Sequence, residues 1–244
     1  MKNKVLTIVA ILLLLPNAMA WAHQPADGNL KHFTKKDATT AMDAFHSTFY
    51  NPDMKLYAIS SDMKGRAAIW VQAIYWDMIM NAYKRTKAPK YRQLIEEVYQ
   101  GGYEQYDKYN WDNKIEWFIY DDMMWWIISL ARAYEITNDP KYLAHASSGF
   151  YHVWKESYDK ERGGLWWNFK HDGKMACINY PTTVGAMTLY NVTKDPDYLE
   201  KAKSVYAWSR DGFFRQGERP HSRQYALSFP KTERYGHRLD NPTL

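Results

Sequence analysis

Two adjacent carboxylates stand in an otherwise apolar, tryptophan-rich run: Asp121 and Asp122, within IEWFIYDDMMWWIISLARAY at residues 115–134. An ionised group is expensive to bury, so the placement needs a reason. One reason is structural: Asp121 caps a helix beginning at Met123, where the helix dipole favours an acid. Against it, Trp117, Phe118, Ile119 and Tyr120 already look helical, which puts the pair inside a helix rather than at its start. The other reason is chemical. Neighbouring helical residues point about 100° apart, so two adjacent carboxylates can line one cleft wall from different angles. Like charges that close raise one pKa and leave one acid protonated beside an ionised partner. Glycoside hydrolysis needs that division: one group protonates the leaving oxygen, and the other attacks or activates water.

The elements that must position the pair are written as a repeat. Residues 83–91 read YKRTKAPKY, 134–142 read YEITNDPKY and 190–198 read YNVTKDPDY, at offsets of 51 and 56. Each copy follows one apolar segment of helical spacing and precedes another; after the second copy, Tyr142, Ala146, Phe150 and Val153 recur at steps of three and four. Asp139 and Asp195 are placed to cap the second helix, with Pro140 and Pro196 in its first position; Ala88 makes the first copy a weaker start. A helix over about 36–50 precedes the first unit. Helix pairs of this period suit an all-α (α/α)6 toroid of helical hairpins, with an open solenoid as the competing arrangement. Six pairs need roughly 310 to 340 residues at this period, so about seven helices make an incomplete ring. The repeat also serves as an internal control. Shifted back by 51, the acid pair lands on Trp70 and Val71; shifted forward by 56, it lands on Cys177 and Ile178. An acid pair at that level is therefore not a requirement of the scaffold.

Lys2 and Lys4 ahead of the apolar run Val5–Leu15, followed by Asn17-Ala-Met-Ala20, form a signal peptide over residues 1–20, with a second possible cut after Ala22. The run is too short to span a bilayer. The expectation is a secreted or periplasmic protein with no membrane span after cleavage. Removal of the leader from 244 residues leaves 224, read as one domain over 21–212 and an unassigned tail over 213–244, either disordered or out of frame. The formal charge falls from +5 to +3, with Lys and Arg scattered among acids, which argues against a nucleic-acid partner. The lone Cys177 excludes internal disulfides and reads as a packed helix residue. No metal-ligand spacing or phosphate loop appears, so no cofactor is expected. Aromatics make up 16% of the chain, including 11 Trp and 20 Tyr, a surplus that suits either sugar platforms or a large helical core.

Three stretches together resemble glycoside hydrolase family 76, the endo-α-1,6-mannanases: YDDMMWWIISLARAYEITNDPKYLAHA, GGLWWN at 163–168, and KMACINYPTTVGAMTLYNVTKDPDYLEKA from Lys174. They correspond, in the family's order, to its Asp-Asp-x-x-Trp-Trp, Gly-Gly-x-x-Trp and Lys-x-Ala-x-x-Asn-x-Pro segments, and the likeness covers roughly residues 40 to 212. The resemblance implies an (α/α)6 toroid with the acid pair in an open groove, Asp121 as nucleophile, Asp122 as acid/base, and an α-mannan-like polysaccharide as partner. No oligomeric state is implied. Retention needs carboxyls about 5 Å apart, within reach of adjacent helical positions. Trp125 and Trp126, one turn beyond the acids, are each a sugar platform or core packing. Trp166, Trp167 and Asn168 follow the Gly163-Gly164 turn on a loop able to reach the groove. Lys174 and Asn179 match family positions; Asn179 either binds sugar hydroxyls or caps the helix before Pro181. His171 and Asp172 read as ordinary loop polar groups.

Overall fold

A computed structural model of the chain describes residues 32–213. The leader read over 1–20 and the tail from 214 lie outside the described residues. The chain divides into Met1–Ala38 and Thr39–Leu244. In the first unit, the Thr34 hydroxyl accepts from Asp37 N (3.1 Å) while Asp37 Oδ2 accepts from Thr34 N (2.8 Å), the reciprocal cap that opens α1, Lys35–Phe49.

Six more helices are described: α2 Ile69–Thr86, α3 Pro89–Gln105, α4 Tyr120–Thr137, α5 Pro140–Ser157, α6 Ala176–Thr193 and α7 Pro196–Phe213. A two-residue antiparallel ladder, β1 (Tyr50–Asn51) with β2 (Leu56–Tyr57), interrupts the all-helical plan before α2. It is pinned by Gln72, whose side-chain amide accepts from Tyr57 N (3.0 Å) and donates to Tyr57 O (2.6 Å). Helices α2, α4 and α6 pack side by side in that order, and α3, α5 and α7 each lie against the helix before them. This is the (α/α)6 toroid plan with three inner helices among the described residues. Helix α4, flanked by α2 and α6 and backed by α5, buries Met123, Met124, Trp126, Ile127, Ile128, Leu130, Ala131 and Ala133, nearly its whole circumference. The outer helices bury one stripe each; on α5 it is Tyr142, Ala146, Phe150 and Val153, the spacing foreseen from sequence.

The repeated nonapeptide is a joint built three times from the same bonds. Lys87, Asn138 and Lys194 each adopt the left-handed conformation that ends the inner helix, and their amides donate to the carbonyls of Tyr83, Tyr134 and Tyr190 at 2.7–2.8 Å. Thr86, Thr137 and Thr193 each donate back to the carbonyl four residues earlier and accept from the amide two residues later at 3.2 Å. Asp139 and Asp195 then accept from Lys141 N and Asp197 N, while Ala88 supplies no side-chain cap. The last Tyr reaches sideways. Tyr91, with Lys90, binds Asp43 on α1, and Tyr142, with Lys141, binds Glu96 on α3. At the third joint Asp197 replaces the lysine and accepts from Tyr151 on α5. Each joint thus folds a helix back and ties it to the neighbouring hairpin.

Candidate active site

The acid pair sits in the first turn of α4, as its second and third residues. The pair does face the helix dipole from the first turn, but neither the cap role of Asp121 nor a helix already running through residues 117–119 holds. Residues 117–119 are not helical: Ile119 is extended (φ −112°, ψ 115°) and pairs antiparallel with Asn168, and Tyr120 N donates to Trp167 O at 3.0 Å. That distant pairing consumes the apolar run that looked helical. Asp121 does not cap Met123 either, because the cap position is Ile119 and no side chain caps it. The repeat register is preserved: Trp70 and Val71 are the second and third residues of α2, and Cys177 and Ile178 those of α6. The acids therefore stand at one level of the inner helices, with the hydrophobic side chains of α2 and the thiol of α6 at the equivalent places.

Both acids are partly buried, and burial decides their protonation. Desolvation pushes Asp122 up to about 7, and the neighbouring charge of Asp121 adds to it. Asp121 is also raised by desolvation, but Cys177, Trp167 and Trp125 lie close enough to favour its ionised form and hold the rise back. No donor meets hydrogen-bond geometry at the buried Asp121 Oδ1. The positive end of the α4 dipole also favours the ionised forms, without overcoming burial. The outcome is a pair with its two pKa values pushed apart, Asp122 the later to lose its proton.

The remaining candidates divide sharply. Trp125 and Trp167 are half-buried, packed on the core and close to Asp121. Trp126 is fully buried, with its ring 5.1 Å from Trp76 and 5.5 Å from Tyr106, so it is core and not a sugar platform. Trp166 is already covered: it stacks on His171 at 5.1 Å, with the Lys174 ammonium 4.7 Å from its centroid. Lys174, its side chain 6% exposed, spends its charge inside the loop on Asp159 and the Gly163 carbonyl, both at 2.6 Å. Asn168 is a loop organiser: its Oδ1 accepts from Lys170 and Asp172, and its Nδ2 donates to Asp172. Asn179 neither caps nor faces solvent. It lies inside α6, accepts from Leu165 N (2.8 Å) and donates to Leu165 O and Met175 O. Lys174 and Asn168 thus bond within the 158–175 loop and Asn179 ties that loop to α6, while His171 and Asp172 serve the same loop.

Gly163 and Gly164, with φ of +70° and +72°, turn that loop beneath the Trp208 indole of α7; a Cβ on either would come within 2.8 Å of the ring. Trp208 Nε1 donates to Arg162 O at 2.9 Å and closes the latch. The pair therefore does turn the chain, and an outer helix holds the turn in place. Its product is Trp167, whose backbone binds both Tyr120 and Gly173 and whose ring is delivered to Asp121.

Two neighbours of the acids, Cys177 and Tyr106, were not read from the sequence as part of the site. Cys177 is exposed, not packed, and its thiol faces Asp121 from α6; the 56-residue offset already pointed to it. Tyr106, fully buried after α3, lies close enough to feel the charge of Asp122. Arg66 sits over the Tyr106 ring at 4.5 Å and binds Gln105 O and Glu116. Nothing in the local pattern of Tyr106 or Arg66 marks them, because the contact runs between connections distant in sequence.

Comparison with solved structures agrees with this architecture. An inactive α-1,6-mannanase variant of Salegentibacter sp. HEL1_6, with two consecutive aspartates changed to asparagine and α-1,6-mannotriose bound, superposes with a TM-score of 0.67 at 23% identity, over 75% of this chain and 52% of that one. A family 76 mannosidase of Bacteroides thetaiotaomicron superposes at 0.62 and 17% identity, over 75% and 54%. A D-mannose isomerase does so at 0.63 and 19%, over 75% and 55%, so this fold also carries other chemistry. At these identities the likeness establishes the fold, and the chain spans about half the length of the structures it matches. Curated protein sequences return no match. Among the described residues no helix is long and apolar enough to cross a membrane. The family model described as glycosyl hydrolase family 76 matches residues 34–220, and the chain belongs to that family.

Proposed function

We propose that this chain is an exported, retaining glycoside hydrolase acting on α-1,6-mannosidic linkages, with Asp121 as nucleophile and Asp122 as acid/base. The observation that carries the reading is the unequal burial of two adjacent acids in one helical turn, which keeps Asp122 protonated to about pH 7 beside a more readily ionised Asp121. Supporting it, the inactive Salegentibacter mannanase has two consecutive aspartates replaced and holds α-1,6-mannotriose. In the proposed reaction the Asp121 carboxylate attacks the anomeric carbon as the glycosidic C–O bond breaks and the Asp122 proton passes to the leaving oxygen. A water then gives a proton to Asp122 and its oxygen to the anomeric carbon, releasing Asp121. Trp167 and Trp125 would present their rings beside the attacking carboxylate.

Reducing-end release from α-1,6-linked mannan, with Asp121→Asn and Asp122→Asn as controls, tests the reading. Each substitution is expected to lower cleavage by about a hundredfold or more. Cleavage unchanged by either one, or products of inverted anomeric configuration, defeats the mechanism. Because the chain spans about half of the matched structures, mannan binding without cleavage is the second reading, and the same assay with a binding arm separates the two.

A further inference from the structure

Between α1 and α3 lies a groove of about 490 Å³, within the size range of small-ligand sites. Helix α1 lines it with Asp43 and His46, and α3 with Lys90, Gln93, Leu94 and Glu97, at steps of three and four along one face of each helix. These side chains are already held in place. Both Asp43 oxygens accept from Lys90 Nζ, at 2.6 and 2.7 Å, and Oδ1 also accepts from the Tyr91 hydroxyl. Glu97 accepts from the Tyr50 hydroxyl and the Gln93 amide, each at 2.7 Å. The His46 ring stacks on Tyr50 at 4.6 Å with Nδ1 3.3 Å from the Tyr57 hydroxyl, so the β1–β2 ladder fixes it and Nε2 stands on its other edge. The repeat again serves as a control. Shifted forward by 51, Lys90, Tyr91 and Leu94 become Lys141, Tyr142 and His145. There, rings from the two helices meet: Tyr142 and His145 of α5 lie 4.9 and 6.1 Å from Tyr99 of α3. At the third joint, Tyr198 of α7 meets Phe150 and Tyr151 of α5 at 5.2 and 5.4 Å. An open polar groove is therefore not a requirement of the joint.

We propose that this groove is a second carbohydrate site, which holds a neutral sugar residue apart from the acid pair. None of its lining residues belongs to α4 or to the 158–175 loop, and Lys90 follows the joint at the C-terminal end of α2, whereas the acids open α4 at its N-terminal end. A sugar hydroxyl donates and accepts at once, and the groove offers both roles: carboxylate acceptors at Asp43 and Glu97, an ammonium donor at Lys90 and an amide with one of each at Gln93. Burial favours the neutral form of His46, whose second ring nitrogen adds a further polar group. Leu94 gives the C–H groups of a sugar ring an apolar contact. Two carboxylates disfavour a phosphate or other anion. The donors already bound to both, from Lys90, Tyr91, Tyr50 and Gln93, leave little uncompensated charge to attract a simple cation. That the sugar belongs to the polysaccharide cut at the acids rests on the mannanase reading; the class of ligand does not.

The experiment is an NMR titration of the full chain, isotopically labelled at histidine and glutamine, with α-1,6-mannotriose as the probe. The His46 ring and Gln93 side-chain amide signals are expected to shift and saturate at about millimolar sugar. The double variant Gln93→Ala, Glu97→Gln should weaken that saturation about tenfold at His46, with thermal melting as the check that the fold is intact. Gln93 is exposed, so Gln93→Ala alone, expected to weaken it about threefold, keeps the test open if the double variant does not fold. No shift at His46 with sugar on the order of 50 mM overturns the proposal, as does a saturation unchanged in the variants. A shift produced by methylammonium and not by the sugar also overturns it, and makes the groove a cation site. Sugar shifts at His46 in a chain that does not cleave mannan would remove the hydrolase reading and leave the second site standing; cleavage with no such shift would do the reverse.

Discussion

The proton on Asp122 is held there by its surroundings, and that has consequences for both rate and stability. On the proposed assignment, with Asp122 near 7 and Asp121 above the ordinary aspartate range, cleavage follows a bell in pH, falling above about 7 as the donor loses its proton and falling in acid as Asp121 gains one. A kcat/KM profile that keeps rising through pH 8 contradicts this assignment. Stability moves with the same group. The folded pKa is raised, so the protonated form is favoured in the fold; its contribution is complete below about pH 4 and is lost as pH rises through about 7. Asp122→Asn should therefore melt higher than the parent at pH 8, by roughly 2 kcal/mol after allowing for solvent screening, and the gap should close toward pH 4. Cys177 offers a second check. The residue as a whole is exposed, yet desolvation at its sulfur and the Asp121 charge push the thiol up to about 12. Thiol alkylation at pH 8 should be far slower than for a free cysteine and faster in Asp121→Asn; rapid labelling of the parent would contradict the contact.

At the level of elements, what could be read from sequence was what local bonds decide. The nonapeptide joint uses only contacts within a few residues, so its helix ends, its caps and even the weak start at Ala88 were legible. The start of α4 was not, because a pairing between Ile119 and Asn168 sets it across some fifty positions. The same limit explains Lys174, Asn168 and Asn179. Their types suited sugar binding, but the partners they actually meet, Asp159, Asp172 and Leu165, become neighbours only once the loop has folded. Two predictions follow the joints and the loop. Ala88→Asp should restore the missing cap and raise stability by about 0.5–1 kcal/mol, while Asp139→Ala should cost about 1 kcal/mol, both read by denaturant melts. Gly164→Ala forces a Cβ to 2.7 Å from Trp208 at a φ of +72° and should cost on the order of 2 kcal/mol or more. An unchanged melting point for Gly164→Ala would mean the latch is not closed in solution.

For the whole molecule, the inner helices differ in what covers them. Helix α4 is enclosed, whereas α2 leaves Trp70, Ile74 and Met78 exposed at steps of four, and α6 leaves Val184 open. A contiguous apolar stripe on one helix is an association-prone surface. In this chain, replacing Ile74 and Met78 with Gln should lower binding of a hydrophobic dye and reduce concentration-dependent sedimentation without lowering the melting temperature; unchanged dye binding would place the exposed surface elsewhere. The Trp208 latch has its own consequence. It makes the placement of Trp167 beside Asp121 depend on α7, an outer helix that packs chiefly on α6, so the site is only as durable as that one hairpin. Heat inactivation should therefore run ahead of the loss of helical signal: amides of α7 and the 158–175 loop would exchange with solvent together, while those of α4, buried over nearly its whole circumference, stay protected.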